Sequence, residues 1–287
     1  MGIPMIIHQI WFQGRQDIPG KYQAFRQTWL QQGCPYHFWE EESIKSILSS
    51  NDVPPLWKRT YDSFPTMIQK IDFAKYVILY LFGGIYLDMD IFAIRPLSDL
   101  DAILQTNDFV VFKHNTPCIT ITMNKMMGLH GNILINNAVI FCTRKNEKIV
   151  SIINACCKAQ QGLKKNFISS QLKCLVTTGP ILFTNEITRF QHWKSFVMPA
   201  RTFEPFTTLQ LVNLRYDDVH QEVENPGHID YVKFMQFLTT QKDMNGVIGI
   251  HVLDLNWFKN GKNNWKFRAY KTLQKMKKNM ISHLRYS

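Results

Sequence analysis

The stretch FGGIYLDMDIFAIRPL, from Phe82 to Leu97, restricts the fold of this chain more than any other part of the sequence. Two glycines precede a short apolar run, which leads directly into Asp88 and Asp90. Residues 91–94 are mostly apolar again, so core residues flank the carboxylate pair on both sides. Burying a carboxylate is costly unless a cation or hydrogen-bond donors compensate it. The sequence therefore predicts a buried strand that ends at a cation-binding pair of aspartates.

The segment before these glycines has the clearest helical pattern. Between Met67 and Leu81, apolar residues recur at steps of three and four, which indicates one buried helix face. Asp72 and Lys75 lie on another face at a spacing that allows them to pair. Gly83-Gly84 then ends the helix, as glycine commonly does at a left-handed cap.

Strands are predicted to alternate with helices along the chain. The predicted strands are 3–11, 36–39, 85–87, 109–112, 138–142 and 247–252, and the predicted helices are 23–32, 40–48, 66–82, 147–159 and 229–238. This alternation favours an α/β fold with a mostly parallel sheet flanked by helices. In such sheets ligands bind beyond the carboxyl ends of strands, where Asp88 and Asp90 fall.

Two carboxylates at positions i and i+2 after a strand can converge on one hard cation. Mn²⁺ and Mg²⁺ accept oxygen ligands and keep positions open for phosphate oxygens. A solvated acidic turn is the alternative, because isolated D-x-D sequences also arise by chance. The apolar residues on both sides favour the cation site.

The positive charge is concentrated at the C-terminal end. The formal net charge is +11, and no acidic residue follows Asp254. Residues 265–287 have an amphipathic helical pattern, so we divide the chain into a main domain, 1–264, and a basic C-terminal helix, 265–287. This helix is expected either to contact an anionic membrane surface peripherally or to pack on the domain with its lysines outward. Nucleic-acid binding is not expected, because the tail is too short and too amphipathic to form a groove of basic and base-stacking residues.

The six cysteines show no CxxC pair and no zinc-ligand spacing. We therefore expect a reduced, cytoplasmic protein, with peripheral membrane contact through the tail. The alternative is the soluble part of an anchored enzyme of the secretory pathway.

Several motifs together carry a family resemblance. The chain resembles glycosyltransferase family 32 in two segments, IPMIIHQIWFQGRQDIP near the start and QKIDFAKYVILYLFGGIYLDMD. Weaker similarity continues in INNAVIF, TTGPILFT and IHVLDLNW. The family includes fungal α-mannosyltransferases and relatives of the α-1,4-galactosyltransferases, and the glucosylating clostridial toxins have a similar core. The resemblance implies a catalytic domain of GT-A fold over 1–264. It also implies a retaining, Mn²⁺- or Mg²⁺-dependent hexosyltransferase that uses a UDP- or GDP-linked donor and a glycan or glycolipid acceptor.

The resemblance also implies individual site residues. Asp88, Asp90 and His251 are the implied metal ligands, and Asp72, Asp88 and Asp90 the implied catalytic residues. The implied nucleotide- and sugar-binding residues are Gln9, Trp11, Asp72, Lys75, Tyr86, Asp88, Asn137, Gly179 and Trp257.

Several of these residues also have a purely structural interpretation. Trp11 would be a core tryptophan rather than a ring that stacks on the base, and His251 a hydrogen-bonded core residue. Asp72 and Lys75 would form a solvent-exposed ion pair, and Asn137 and Gly179 would belong to ordinary loops. Lys75 stands where the family usually has arginine, so the donor sugar or its orientation is expected to differ.

Two other functions remain compatible with the sequence. One is a non-catalytic module that binds sugars or polyanions on the same fold. The other is a nucleotide-sugar hydrolase, which needs a water-activating base near the metal. Glu186 and Glu204 are candidates for that base, but their positions in the sequence do not place either of them convincingly near the metal.

Overall fold

The computed structural model describes residues 2–115, 133–162, 170–207, 210–211, 214 and 230–253. Within these ranges a six-stranded sheet has the order β2-β1-β3-β6-β5-β7, and a two-stranded sheet pairs β4 with β8. The strands are β1 Ile7–Ile10, β2 Tyr36–Trp39, β3 Gly84–Leu87, β4 Ile91–Ala93, β5 Phe109–Lys113, β6 Ile135–Cys142, β7 Val197–Met198 and β8 Gly249–His251. In the large sheet β6 runs antiparallel to both neighbours, and the other adjacent pairs are parallel. The predicted α/β class with a mostly parallel sheet is confirmed.

Helices cover both faces of the large sheet. They are α1 Gly20–Leu30, α2 Glu41–Leu48, α3 Pro55–Ser63, α4 Met67–Phe82, α5 Asp101–Thr106, α6 Glu147–Gly162, α7 Ser170–Thr177, α8 Pro180–Ile187 and α9 Tyr231–Thr239. One core forms against α2, α3, α4, α6 and α8, and the other forms against α1, α5 and β4. Since β3 is buried on both faces, Tyr86 faces the first core while Ile85 and Leu87 face the second.

No helix in the described part of the chain combines the length and apolar character needed to cross a bilayer.

Several predicted strands differ in extent from those in the structure, and β8 is shorter than the strand predicted over 247–252. The strand expected over 3–11 is limited to β1, because its pairing with β2 runs only from Ile7 opposite Tyr36 to Ile10 opposite Trp39. β6 instead begins at Ile135, because this residue pairs with Lys113 beyond an irregularity in β5. Asn136 and Asn137 therefore lie inside a central strand rather than in a loop before it.

Gly83 and Gly84 make a tight connection from α4 to β3. Both have positive φ angles, 66° and 104°, and the ψ of Gly83 is −166°, so this is not the left-handed cap expected from the sequence. His8 Nε2 lies 2.9 Å from the carbonyl oxygen of Gly83, and Trp39 Nε1 donates to His8 Nδ1 at 3.1 Å. The connection thus packs directly against β1, and it sets the start of the strand that carries Asp88.

The two-stranded sheet brings the late part of the chain to the carboxylate pair. Ile91 lies opposite His251 in the antiparallel pairing of β4 with β8. The backbone N–H of Val252 donates to the carbonyl oxygen of Asp90 at 3.1 Å. His251 is therefore held beside the residue that precedes β4.

Gly84→Ala should destabilise the fold by about 2–3 kcal/mol, because the positive φ is strained for alanine and the new methyl group has no room. A Cβ at this position would lie 2.6 Å from the carbonyl oxygen of Ile6. Gly20→Ala is the matched control, since a Cβ there meets nothing within 4 Å. Urea unfolding of both variants measures the difference, and equal stabilities would contradict this account of the connection.

The buried imidazole of His8 should make folding sensitive to acid. Burial is the main reason that the pKa of His8 falls to about 4 from 6.5. The unfolded chain therefore binds this proton first, so the free energy of unfolding should decrease as the pH falls from 6.5 to 4, by about 3 kcal/mol. Urea unfolding across this pH range should give a shallower slope for His8→Gln, and an unchanged slope would show that other groups cause the loss.

Candidate active site

Three side chains of metal-ligand type meet at the junction of the two sheets. Asp88 follows β3, Asp90 precedes β4, and His251 ends β8. One ligand atom of each residue lies within 4.8 Å of the others, and His251 Nε2 is 3.4 Å from Asp90 Oδ1. The structure thus brings together the three residues for which the sequence implied a metal-binding role.

Asp72 and Lys75 form a buried ion pair on α4, next to this cluster. Their Oδ1 and Nζ atoms are 2.7 Å apart, and the two residues are only 6% and 1% exposed. The ammonium of Lys75 also lies 3.8 Å from Asp88 Oδ1. The alternative of a solvent-exposed ion pair is therefore wrong, because β3 and β6 cover this face of the helix.

The charges of this pair depend on each other. Burial raises the pKa of Asp72, and the Lys75 ammonium opposes that shift. For Lys75, burial lowers the pKa, but the carboxylates of Asp72 and Asp88 outweigh burial and raise it overall. Lys75 therefore remains a cation at neutral pH and compensates two carboxylates.

Two residues of the large sheet, Tyr86 and Gln9, donate hydrogen bonds to Asp88. The hydroxyl of Tyr86 donates to Asp88 Oδ1 at 2.7 Å, and its ring lies 5.2 Å from the ammonium of Lys75. Gln9 Nε2 donates to the backbone oxygen of Asp88 at 3.3 Å, and Gln9 Oε1 accepts from Tyr36 at 2.6 Å. Both residues therefore position the carboxylate pair from β1 and β3.

Asn137 and the turn before α8 complete the surroundings of Asp72. Asn137 Nδ2 donates to Asp72 Oδ1 at 3.1 Å, and Thr178 Oγ1 donates to Asp72 Oδ2 at 3.2 Å. Gly179 makes no such contact, but it allows the turn to close, since a Cβ there would lie 2.9 Å from the oxygen of Cys174. Asn137 thus belongs to the buried polar group rather than to a loop.

Trp11 lies just beyond β1, with its ring centroid 5.3 Å from that of Tyr22. Its indole N–H is buried and has no hydrogen-bond partner among the described residues. Trp257 and the helix predicted over 265–287 lie outside the described residues, as does the boundary at residue 264.

Glu204 is the residue at this site that sequence reasoning did not place. It is 1% exposed, and its Oε1 lies 3.0 Å from His251 Nδ1. It lies on an irregular segment and in no recognisable motif, so no sequence signal indicated its position. Burial alone would raise the pKa of Glu204, but His114 and His251 outweigh burial and hold the pKa below its usual range.

The imidazole of His251 is electrostatically coupled to two carboxylates. Burial lowers its pKa, but Asp90 and Glu204 more than compensate, and the pKa is raised well above the usual value. Two carboxylates and one imidazole form a donor set that suits Mn²⁺, and Mg²⁺ through its oxygen ligands. These residues therefore fit a divalent cation, with Lys75 as a second positive charge beside it.

Comparisons with known proteins agree with the motifs. Residues 21–110 match the family model described as a glycosyltransferase sugar-binding region containing a DXD motif, which confirms the resemblance to glycosyltransferases over this region. An uncharacterized glycosyltransferase of Acanthamoeba polyphaga mimivirus is 40% identical over 34% of this chain and 39% of its own length. Inositol phosphoceramide mannosyltransferase 3 of Schizosaccharomyces pombe is 35% identical over 34% of this chain and 27% of its own. The initiation-specific alpha-1,6-mannosyltransferase of Saccharomyces cerevisiae is 28% identical over 41% of this chain and 27% of its own.

Among solved structures, the PaToxG glycosyltransferase matches with a TM-score of 0.47 and 16% identity, over 66% of this chain and 70% of that chain. The matches to the curated relatives cover well under half of each relative's length, between 27% and 39% for these three.

Lys75→Met should destabilise the protein by about 3–5 kcal/mol, because it leaves buried carboxylates without their cation. Lys45→Met is the matched control: Lys45 forms an ion pair of the same i,i+3 spacing with Glu42, but on the exposed surface of α2. The free energy of unfolding in urea at neutral pH should fall for the first variant and stay nearly unchanged for the second. Equal effects would mean that Lys75 does not compensate buried charge.

Proposed function

We propose that this chain is a metal-dependent, retaining glycosyltransferase, because residues 21–110 match the family model described as a glycosyltransferase sugar-binding region containing a DXD motif. It transfers a hexose from a nucleotide sugar to a glycan or glycolipid acceptor. The observation that carries the proposal is the convergence of Asp88, Asp90 and His251 from distant parts of the sequence on one point. A sugar- or polyanion-binding module has no need of such a donor set beside a buried lysine.

Asp88, Asp90 and His251 hold the cation in this proposal. When bound, a divalent cation supplies Lewis-acid stabilisation of the diphosphate leaving group. Lys75 adds a fixed positive charge within 3.8 Å of Asp88, on the side of the cluster nearest α4. Charges that are already in place where negative charge develops lower the barrier without reorganisation.

Asp72 orients the donor sugar rather than attacking it. Its Oδ1 already contacts Lys75 and Asn137, and its Oδ2 accepts from Thr178. A carboxylate engaged on both oxygens can accept one further hydroxyl, but it is a poor nucleophile. Retention then proceeds by attack of an acceptor hydroxyl on the anomeric carbon, from the face that the nucleoside diphosphate leaves. The new C–O bond replaces the sugar–phosphate bond, and the hydroxyl proton passes to the departing diphosphate.

In this proposal the nucleotide base lies against the ring of Trp11, whereas the buried Gln9 acts only through the backbone of Asp88. Stacking on such a ring contributes about 1–3 kcal/mol per base. Mannose is the first sugar to test, because two of the relatives are named mannosyltransferases. The name of one of them also makes an inositol phosphoceramide the first glycolipid acceptor to test.

Thermal melts with Mn²⁺ and a panel of UDP, GDP, CMP and their sugar conjugates test this function. One nucleotide at a hundred times its Kd should raise the Tm by about 5 °C, and only with metal present. The products formed with water as acceptor identify the reaction: free sugar indicates a transferase, and sugar phosphate indicates a hydrolase of the diphosphate. If no nucleotide in the panel raised the Tm in the presence of Mn²⁺, the proposal would be contradicted.

Asp90→Asn should abolish both the metal-dependent shift and turnover, while the Tm of the metal-free protein stays close to that of the wild type. Asp99→Asn is the control, since this aspartate pairs with Arg95 on the exposed surface. Full activity of Asp90→Asn would refute the assignment of the metal site.

A further inference from the structure

Glu204 lies next to His251 and contacts residues from both sheets. The residues that contact its carboxylate come from the segment after β5, from β6 and from β8: His114, Asn115, Asn136 and His251. The backbone N–H of His251 also donates to the carbonyl oxygen of Phe203, at 2.7 Å. The position of Glu204 is therefore set relative to His251 by both backbone and side chain.

Four donors satisfy this buried carboxylate. Oε1 accepts from Asn136 Nδ2 and from His251 Nδ1, and Oε2 accepts from His114 Nδ1 and from the backbone N–H of Asn115 at 2.7 Å. A buried charge is tolerated when it is hydrogen-bonded in this way. Glu204 is thus a fixed acceptor, and neither oxygen is available as a base for water.

This arrangement bears on which nitrogen of His251 carries the proton when a cation binds. A carboxylate only accepts hydrogen bonds, so a proton on Nδ1 of His251 donates to Oε1. Asn136 Nδ2 also lies 3.0 Å from Nδ1 and would donate to it in the tautomer protonated at Nε2, but a cation on Nε2 excludes that tautomer. The amide of Asn136 has its orientation fixed by Oδ1, which accepts from the backbone N–H of Ala138 at 2.6 Å. Its nitrogen therefore donates to Glu204, and the Nε2 lone pair of a neutral His251 faces Asp90.

We propose that Glu204 is a positioning residue that holds His251 in the Nδ1-protonated tautomer, and that it thereby sets the cation affinity of the Asp88, Asp90 and His251 cluster. This inference rests on the proposed function, because it presupposes that the cluster binds a divalent cation. Replacing a carboxylate that orients a metal-bound histidine in this way typically lowers the metal affinity by about 10–100-fold.

Titration of the full-length, nucleotide-free protein with Mn²⁺, followed by electron paramagnetic resonance of the free ion, measures the effect. Glu204→Gln should raise the Kd for Mn²⁺ by about tenfold or more. Glu186→Gln is the matched control, since Glu186 is also buried but pairs with Arg189 and Ser151. This control should leave the Kd unchanged.

A double-mutant cycle separates positioning from a general structural role. In a His251→Ala background, Glu204→Gln should cause little further loss of Mn²⁺ affinity, because no imidazole remains to be oriented. A structural role would weaken binding equally in both backgrounds. Equal losses would therefore overturn the inference.

The tautomer can be read in the unmodified protein, in case Glu204→Gln does not fold. Imidazole ¹⁵N chemical shifts with diamagnetic Zn²⁺ should show His251 protonated at Nδ1 and metal-bound at Nε2, with the resonances assigned from the spectrum of His251→Ala. The opposite pattern would overturn the inference. An absence of Mn²⁺ binding by the wild type would refute the proposed function and this inference together, whereas normal wild-type binding with an unchanged Kd in Glu204→Gln would refute only the inference.

Discussion

Compensation of buried carboxylates is the constraint on which the rest of this structure depends. Asp72 and Glu204 are almost fully buried, and Asp88 and Asp90 lie between them at the junction of the two sheets. Lys75 compensates Asp72 and Asp88 from one side, at 2.7 and 3.8 Å. On the other side His251 lies between Asp90 and Glu204. Negative groups outnumber the positive ones at the centre of this arrangement, as expected where a cation is to bind.

The fold places these groups by joining local and distant parts of the chain. α4, the Gly83-Gly84 connection and β3 are consecutive in sequence, so Asp72, Lys75 and Asp88 come together within a single helix-to-strand unit. Asn137 enters from β6, which pairs with β3. The pairing of β4 with β8 then adds the imidazole of His251 from more than a hundred residues away. The site therefore requires the junction of the two sheets.

Lysine at position 75 differs chemically from the arginine that the family resemblance implies there. An arginine would offer a planar fork that binds two acceptors side by side, whereas the ammonium of Lys75 is a compact charge. Here it lies between Asp72 and Asp88 and over the ring of Tyr86, and the pocket around it is closed by side chains.

The sequence by itself determined the fold class, the position of the carboxylate pair at the end of a buried strand, and the resemblance to glycosyltransferases. Those features depend on periodicity, on glycine placement and on motif order, all of which are local. The burial of the Asp72–Lys75 pair, the place of Asn137 within β6 and the contact of His251 with Asp90 were decided by strand pairing. Glu204 had no signal in the sequence, because its contacts come from β6, from β8 and from the residues after β5, and it lies on an irregular segment. Only the tertiary structure could place it behind His251, since a buried charge acquires its partners when distant elements pack together.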